Sequence, residues 1–140
     1  MNGRPREGRR IVPTVSIEPG LWGDADLVVC EADTAIALGS GDVPVLGTPR
    51  VVALCEQAAC HALEGHLRAG ETSVGMRVQL DHLAPTAIGG KAKAEATLDK
   101  VEGRRLTFTV SVSDARGLIA AGKVTRVIVD VERFLDKAAE

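Results

Sequence analysis

Residues 47–65, GTPRVVALCEQAACHALEG, have the apolar spacing of one long helix. At about 100° per residue, their polar side chains collect in one narrow stripe and apolar side chains cover most of the remaining surface. The stripe contains Arg50, Gln57, His61 and Glu64. Thr48 is a good N-cap, Pro49 suits the first turn, and Gly65 is a plausible end. The pattern predicts a nearly all-apolar helix.

Glu56 departs from this pattern, because it lies about 80° away from the polar stripe. Its neighbours on the helix surface are Val52, Cys60 and Leu63. An ionised carboxylate on an apolar side is costly unless it is paired or hydrogen-bonded. We therefore expect a partner for Glu56 elsewhere in the chain.

After the helix the apolar period changes from helical to two, which is typical of strands. Four segments follow in succession, separated by turns around Gly103 and at residues 114–117: residues 72–85, 91–101, 106–114 and 118–134. The faces predicted to be apolar contain Val74, Met76, Val78, Leu80 and His82 in the first segment, Ala92, Ala94, Ala96 and Leu98 in the second, and Leu106, Phe108, Val110 and Val112 in the third. The pattern predicts an antiparallel meander of four strands.

The part of the chain before the helix has weaker signals. Residues 1–10 are basic and are predicted to be a flexible tail, while residues 11–140 form one domain. Within it we expect a strand at 11–17, a loop at 19–26 and a strand within 27–40.

One helix cannot cover a sheet this long unless the sheet curls around it. The expected architecture is therefore α+β, an antiparallel sheet wrapped around one long central helix, which is the hotdog fold. Hotdog chains usually pair edge to edge, which would also cover an exposed strand edge, so we expect a homodimer.

Composition excludes several other classes of function. The net charge of −2 gives no case for binding nucleic acid, and no apolar run approaches the ~20 residues that span a membrane. Three cysteines without a disulfide framework, and no signal peptide, indicate reduced thiols in the cytoplasm. Cys55 and Cys60 are interpreted as buried, inert thiols. No metal site is expected, since His61 and His66 do not share a helix face.

Three side chains suggest chemistry: the Thr48 hydroxyl, the Glu56 carboxylate and the His82 imidazole. A carboxylate can attack an activated acyl group or act as a general base on water, while an imidazole moves protons. Each residue also has a structural interpretation, in which Thr48 is only a helix cap, His82 a structural histidine and Glu56 a partnered structural acid.

The segment VEGRRLTFTVSVSD, residues 101–114, and the strand after it resemble the fluoroacetyl-CoA thioesterase family, and the likeness extends from about Val45 to Asp136. That family has a Thr, a Glu eight residues later and a His on the next strand, which Thr48, Glu56 and His82 match. The resemblance implies a hotdog fold and hydrolysis of an acyl-CoA thioester, with coenzyme A as part of the substrate and no other cofactor.

The resemblance further implies roles for two residues. Gly75 precedes the histidine by seven residues, and Arg126 follows Gly122 by four, as in the family. Both are expected to contact substrate. The family's aromatic gate before the Thr is replaced here by GDVPVLGT, with Asp42 at the gate position. We therefore expect an acyl group other than fluoroacetyl.

Two alternative functions remain open from the sequence. A non-catalytic module that binds or senses acyl-CoA would share the fold but would not need all three polar residues. A hotdog hydratase or dehydratase would use a carboxylate and histidine for proton removal beside a thioester carbonyl.

Overall fold

A computed structural model describes residues 16–139. The predicted tail at 1–10 and most of the predicted strand at 11–17 lie outside this range. The elements in chain order are β1 (Trp22–Val28), a 3-10 turn (Glu31–Asp33), α1 (Ala35–Leu38), α2 (Thr48–Ala62), β2 (Glu71–His82), β3 (Lys91–Glu102), β4 (Arg105–Asp114), β5 (Gly117–Asp130) and α3 (Val131–Ala138).

The five strands form one antiparallel sheet in the order β1-β3-β4-β5-β2, which curls around α2 as expected for the hotdog fold. The prediction of a four-strand meander is wrong for β2, which pairs with β5 and not with β3. The connection at residues 83–90 carries the chain across the sheet. Leu83 donates its backbone N–H to Ile119 of β5, and Gly90 accepts from Val29 beside β1. β1 and β2 therefore form the two edges of the sheet, and β3 lies next to β1.

The predicted apolar faces of β3 and β4 are confirmed, because their alternate side chains are buried against α2. Small residues bring the helix close to the sheet. At Gly23 on β1, a Cβ would collide with the α2 backbone at Ala58 and Ala62. Alanines on β3 (Ala92, Ala94 and Ala96) are almost fully buried in the same layer. The core is therefore thin where α2 crosses β1 and β3.

The predicted inner face of β2 is only partly correct. The pairing with β5 shifts between Gly75 and Arg77, which marks a β-bulge at Met76. Because the bulge inserts one residue, Ser73 and Gly75 share the inner face with the later residues Val78, Leu80 and His82. Val74 precedes the bulge and takes the opposite face, pairing with Val127.

Three segments differ from their predicted structures. The expected loop at 19–26 is largely β1, whose inner residues Gly23 and Ala25 are too small to produce an apolar alternation. The expected strand at 27–40 contains the end of β1, the 3-10 turn and α1. The last strand stops at Asp130, whose carboxylate accepts the backbone N–H of Arg133 and starts α3.

Gly23→Val places two methyl groups against the α2 backbone, so we expect it to destabilise the fold by about 1–3 kcal/mol. Urea unfolding followed by circular dichroism measures this change. Gly41→Ala is the matched control, because its new Cβ would lie at an ordinary 3.4 Å from Ala35. Equal stability of the two variants would contradict the close approach of helix and strand.

Candidate active site

Thr48 and His82 meet at the start of α2. The Thr48 hydroxyl lies 2.8 Å from Nδ1 of His82, within hydrogen-bonding distance. The prediction that Thr48 is the N-cap is wrong, because Gly47 occupies the cap position and Thr48 is the first helical residue. The hydroxyl is thus directed to the end of β2, where His82 is the last residue.

Burial lowers the pKa of His82 below its ordinary value of 6.5, with the backbone of Ala84 opposing the shift. Its Nε2 is buried and has no hydrogen-bond partner among residues 16–139. Burial therefore favours the neutral imidazole, with Nδ1 beside the Thr48 hydroxyl and Nε2 enclosed by the protein.

Glu56 has the partner that its position requires. Nη1 of Arg126 donates to Oε2 of Glu56 at 2.9 Å, and the side chains are 9% and 31% exposed respectively. The guanidinium is fixed from its other side by Ser73, where Nε donates to the hydroxyl and Nη2 to the backbone carbonyl, both at 2.8 Å. Arg126 is thus buried and held at three atoms, while the carboxylate stays accessible. A contact of Arg126 with substrate remains a prediction.

Gly75 is placed directly beside this ion pair. It pairs with Arg126 in the sheet, and a Cβ at this position would collide with Oε2 of Glu56. The absence of a side chain lets the carboxylate approach the β2 backbone. A substrate contact of Gly75 also remains a prediction, although its position next to Glu56 is compatible with one.

The predicted residues form two groups within one chain, not a single cluster. Thr48 and Glu56 are eight residues apart on α2, which separates them by about 12 Å along the helix axis. His82 belongs to the first group, and Gly75 and Arg126 belong to the second. Both groups face the side of the sheet that carries α2.

A pocket of about 320 Å³ opens beside Thr48 and His82. Most of its side chains are small and aliphatic, and it contains no phenylalanine, tyrosine or tryptophan. Besides the polar Ser40, Thr48 and His82, its wall includes Val43, Val45, Leu46, Leu83, Ala84 and Pro85. Asp42, at the predicted gate position, is not among the lining residues.

Asp33 is a polar residue that sequence reasoning missed. Its carboxylate accepts the backbone N–H of Cys30 at 2.9 Å and Nε of Arg50 at 3.1 Å, and its carbonyl accepts the N–H of Gly47. These bonds, first that from Cys30, lower the pKa of Asp33. Asp33 therefore fixes the start of α2, and hence Thr48. No signal in the sequence distinguishes it from other acids in segment 27–40.

The cysteines offer no nucleophile in the core. Cys55 is buried as expected, and burial raises the pKa of its thiol to about 12, which makes it inert. The prediction that Cys60 is buried is wrong, because it is exposed on α2. In the described part of the chain, no three His, Cys, Asp or Glu side chains are grouped to hold a metal ion.

The sequence matches the family of fluoroacetyl-CoA-specific thioesterases over residues 29–132. The chain belongs to this family. It is 34% identical over 96 residues, 69% of each chain, to the fluoroacetyl-CoA thioesterase of Streptantibioticus cattleyicolor. The resemblance inferred from the sequence is thereby confirmed.

Solved structures agree with this membership. A structure of a fluoroacetyl-CoA thioesterase has a TM-score of 0.85 at 30% identity, with 89% of this chain and 97% of that one covered. A thioesterase superfamily member from Thermus thermophilus has a TM-score of 0.80 at 24% identity, with 92% and 93% covered, which supports the fold alone. The α+β hotdog prediction is confirmed. Within residues 16–139, no helix is long and apolar enough to cross a membrane.

We expect the His82 imidazole to titrate below pH 6.5 because burial favours its neutral form. Below that pH the unfolded chain binds the proton more readily, so stability falls as pH decreases from 6.5 towards the folded-state pKa. NMR titration of the imidazole measures the pKa, and His82→Gln assigns the signal and removes this part of the pH dependence. A midpoint above 6.5 would contradict the buried neutral imidazole.

Proposed function

We propose that this protein is an acyl-CoA thioesterase in which Glu56 carries the chemistry. The observation that supports this most strongly is the state of Glu56 itself. Its carboxylate is oriented by a buried arginine at 2.9 Å, yet 31% of its side chain remains exposed. A purely structural ion pair gains nothing from that exposure, whereas a nucleophile or general base requires it.

Two routes from Glu56 lead to the same products. In the first, the carboxylate attacks the thioester carbonyl, the C–S bond breaks, and water then hydrolyses the resulting anhydride. In the second, the carboxylate takes a proton from water, which attacks the carbonyl directly. In both routes the leaving sulfur becomes the free thiol of coenzyme A, and the acyl group is released as a carboxylic acid. No cofactor or metal takes part.

Thr48 and His82 are proposed to act on the carbonyl oxygen and the leaving sulfur of the thioester. The start of α2 presents the backbone N–H of Thr48 and the positive end of the helix dipole, which stabilise an oxyanion. Pro49 has no N–H, and the N–H groups of Arg50 and Val51 are bonded to the carbonyl of Gly47. The neutral imidazole of His82 positions the Thr48 hydroxyl at this point. It can take up a proton that the hydrolytic water releases and pass it to the departing sulfur, which returns the imidazole to its neutral form. Thr48 thereby polarises or positions the acyl group.

We further propose that the working enzyme is a homodimer, with each site built from two chains. Within one chain, Glu56 lies about 12 Å along the helix axis from Thr48, whose hydroxyl is bonded to His82. We infer that the carboxylate and the Thr48–His82 pair of one chain do not act on the same carbonyl. β2 is an edge strand with exposed apolar side chains, Met76 at 48% and Val78 at 37%. A two-fold interface along this edge would cover them and bring Glu56 of one chain to Thr48 and His82 of the other.

The acyl group is proposed to be aliphatic and larger than fluoroacetyl. The pocket of about 320 Å³ beside His82 is roughly twice the ~150 Å³ of a cavity that binds benzene. Its wall of valine, leucine and alanine favours apolar chains and offers no aromatic ring to close over a two-carbon group. A cytoplasmic location is also proposed, supported by three free cysteines.

Thiol release from a panel of acyl-CoAs tests this function. We expect turnover of branched or medium-chain esters above that of fluoroacetyl-CoA, and a loss of about 10²–10⁴-fold in kcat for Glu56→Gln. Gln57→Ala, an exposed neighbour, is the control and should keep full activity.

Other outcomes identify the alternatives. Binding of acyl-CoA without thiol release from any ester would indicate a binding or sensing module. Hydration of enoyl-CoA without hydrolysis would indicate a hydratase. Either result, or full activity of Glu56→Gln, would overturn the proposal.

A further inference from the structure

A second pocket, of about 300 Å³, lies between the end of β5 and α3, outside the site described above. Its wall combines basic side chains with apolar ones. The lining includes Arg104, Ile128, Asp130, Arg133, Phe134 and Lys137. Glu132 and Asp136, the other charged residues of α3, do not line it.

The pocket has an excess of positive charge. Three cations, Arg104, Arg133 and Lys137, line it together with one carboxylate, Asp130, which caps α3 through the N–H of Arg133 at 3.0 Å. Arg104 is also paired with the carboxylate of Glu71, so most of the excess comes from Arg133 and Lys137. Arg104 is fixed in place, since it donates to the carbonyl of Ile128 and to the carboxylate of Glu71, both at 3.2 Å. Arg133 and Lys137 are one helical turn apart on α3, so their charges can converge on one anionic group.

An aromatic ring stands beside these charges. Phe134 is 40% exposed and lines the pocket next to Ile128. The chain has only two phenylalanines, one tryptophan and no tyrosine, and Phe108 is fully buried. A half-exposed ring among cations suits a ligand that carries both phosphates and a flat heterocycle.

The position of the pocket relative to Glu56 identifies such a ligand. Arg126, Ile128 and Asp130 are alternate residues of β5 and share one face. The pocket therefore begins at Ile128, about 7 Å along the strand from the Arg126–Glu56 pair, and its Asp130 and α3 wall begins at about 13 Å. Twelve bonds join the sulfur of coenzyme A to the oxygen that bears its diphosphate, as many as in four peptide residues. An extended pantetheine arm therefore spans about 13–14 Å, which matches this distance.

We propose that this pocket binds the 3′-phosphoadenosine 5′-diphosphate part of coenzyme A while the thioester lies at Glu56. Arg133 and Lys137 contact phosphates, Arg104 adds positive charge, and Phe134 packs against the adenine. This inference rests on the proposed thioesterase function, because it places the nucleotide of that same substrate. A protein-borne phosphopantetheine has no adenine, so the exposed ring favours free coenzyme A esters.

The test removes the two helix charges together, as Arg133→Ala with Lys137→Ala, which keeps good helix formers on α3. We expect the Kd for 3′-phosphoadenosine 5′-diphosphate, measured by calorimetry on the full chain, to rise about tenfold or more. The KM for an acyl-CoA should rise similarly with kcat unchanged, while kcat/KM for the same acyl group on pantetheine should not change. Lys91→Ala with Arg116→Ala removes equal charge from residues that do not line the pocket and is the control.

The possible results separate this inference from the proposed function. Nucleotide binding that is lost in the α3 variant supports the pocket even if no ester is hydrolysed. If the control variant binds the nucleotide as weakly as the α3 variant, the effect comes from the net charge of the protein and not from this pocket, and the inference is overturned. Three other results would also overturn it. The first is an equal loss of kcat/KM for acyl-pantetheine in the α3 variant, and the second is an unchanged Kd for the nucleotide. The third is a loss of activity that is confined to esters of carrier proteins.

Discussion

The arrangement of this protein depends on the ion pair between Arg126 and Glu56. A guanidinium that is only 9% exposed requires partners, and it obtains them from Glu56 on α2 and from Ser73 on β2. Three elements are thereby joined at one charged group, because Arg126 itself belongs to β5. Removing either charge would leave the other partly buried without its partner, a change that commonly costs 3–5 kcal/mol when the pair is fully buried and less here because Glu56 is accessible.

Several local features follow from the same contact. Gly75 lacks a side chain at the point where Oε2 of Glu56 approaches β2. The bulge at Met76 changes which residues face inward, so that both Gly75 and His82 lie on the inner face although they are seven residues apart. Without the bulge, the strict alternation of β2 would turn one of them outward. α2, β2 and the bulge at Met76 therefore fix the positions of the Glu56 carboxylate and the His82 imidazole.

Much of the fold could be predicted from the sequence, because the amphipathic signals of α2, β3 and β4 are strong. The position of β2 in the sheet could not be predicted. No local sequence pattern indicates that residues 83–90 cross from β2 at one edge to β3 next to the opposite edge. β1 was not predicted because its buried residues are glycine and alanine, which give no apolar alternation. α3 was not predicted because its apolar residues follow directly on those of β5.

The candidate site was likewise predicted only in part. The helix pattern predicted Glu56 as an acid that needs a partner, and the family resemblance predicted roles for Thr48, His82, Gly75 and Arg126. The structure pairs Thr48 with His82 and Glu56 with Arg126, contacts across 34 and 70 residues that no periodicity reveals. Ser73 and Asp33, which position Arg126 and the start of α2, were missed because single polar residues carry no sequence pattern.

We propose that each active site takes Glu56 from one chain and Thr48 with His82 from the other. Mixing subunits of Glu56→Gln with subunits of His82→Gln tests it most directly, since each variant alone should be nearly inactive. A mixed dimer keeps one site with both native residues, so random mixing, which makes half the dimers mixed, should restore about a quarter of wild-type thioesterase activity. No recovery in mixtures shown by mass spectrometry to contain mixed dimers would contradict the shared site.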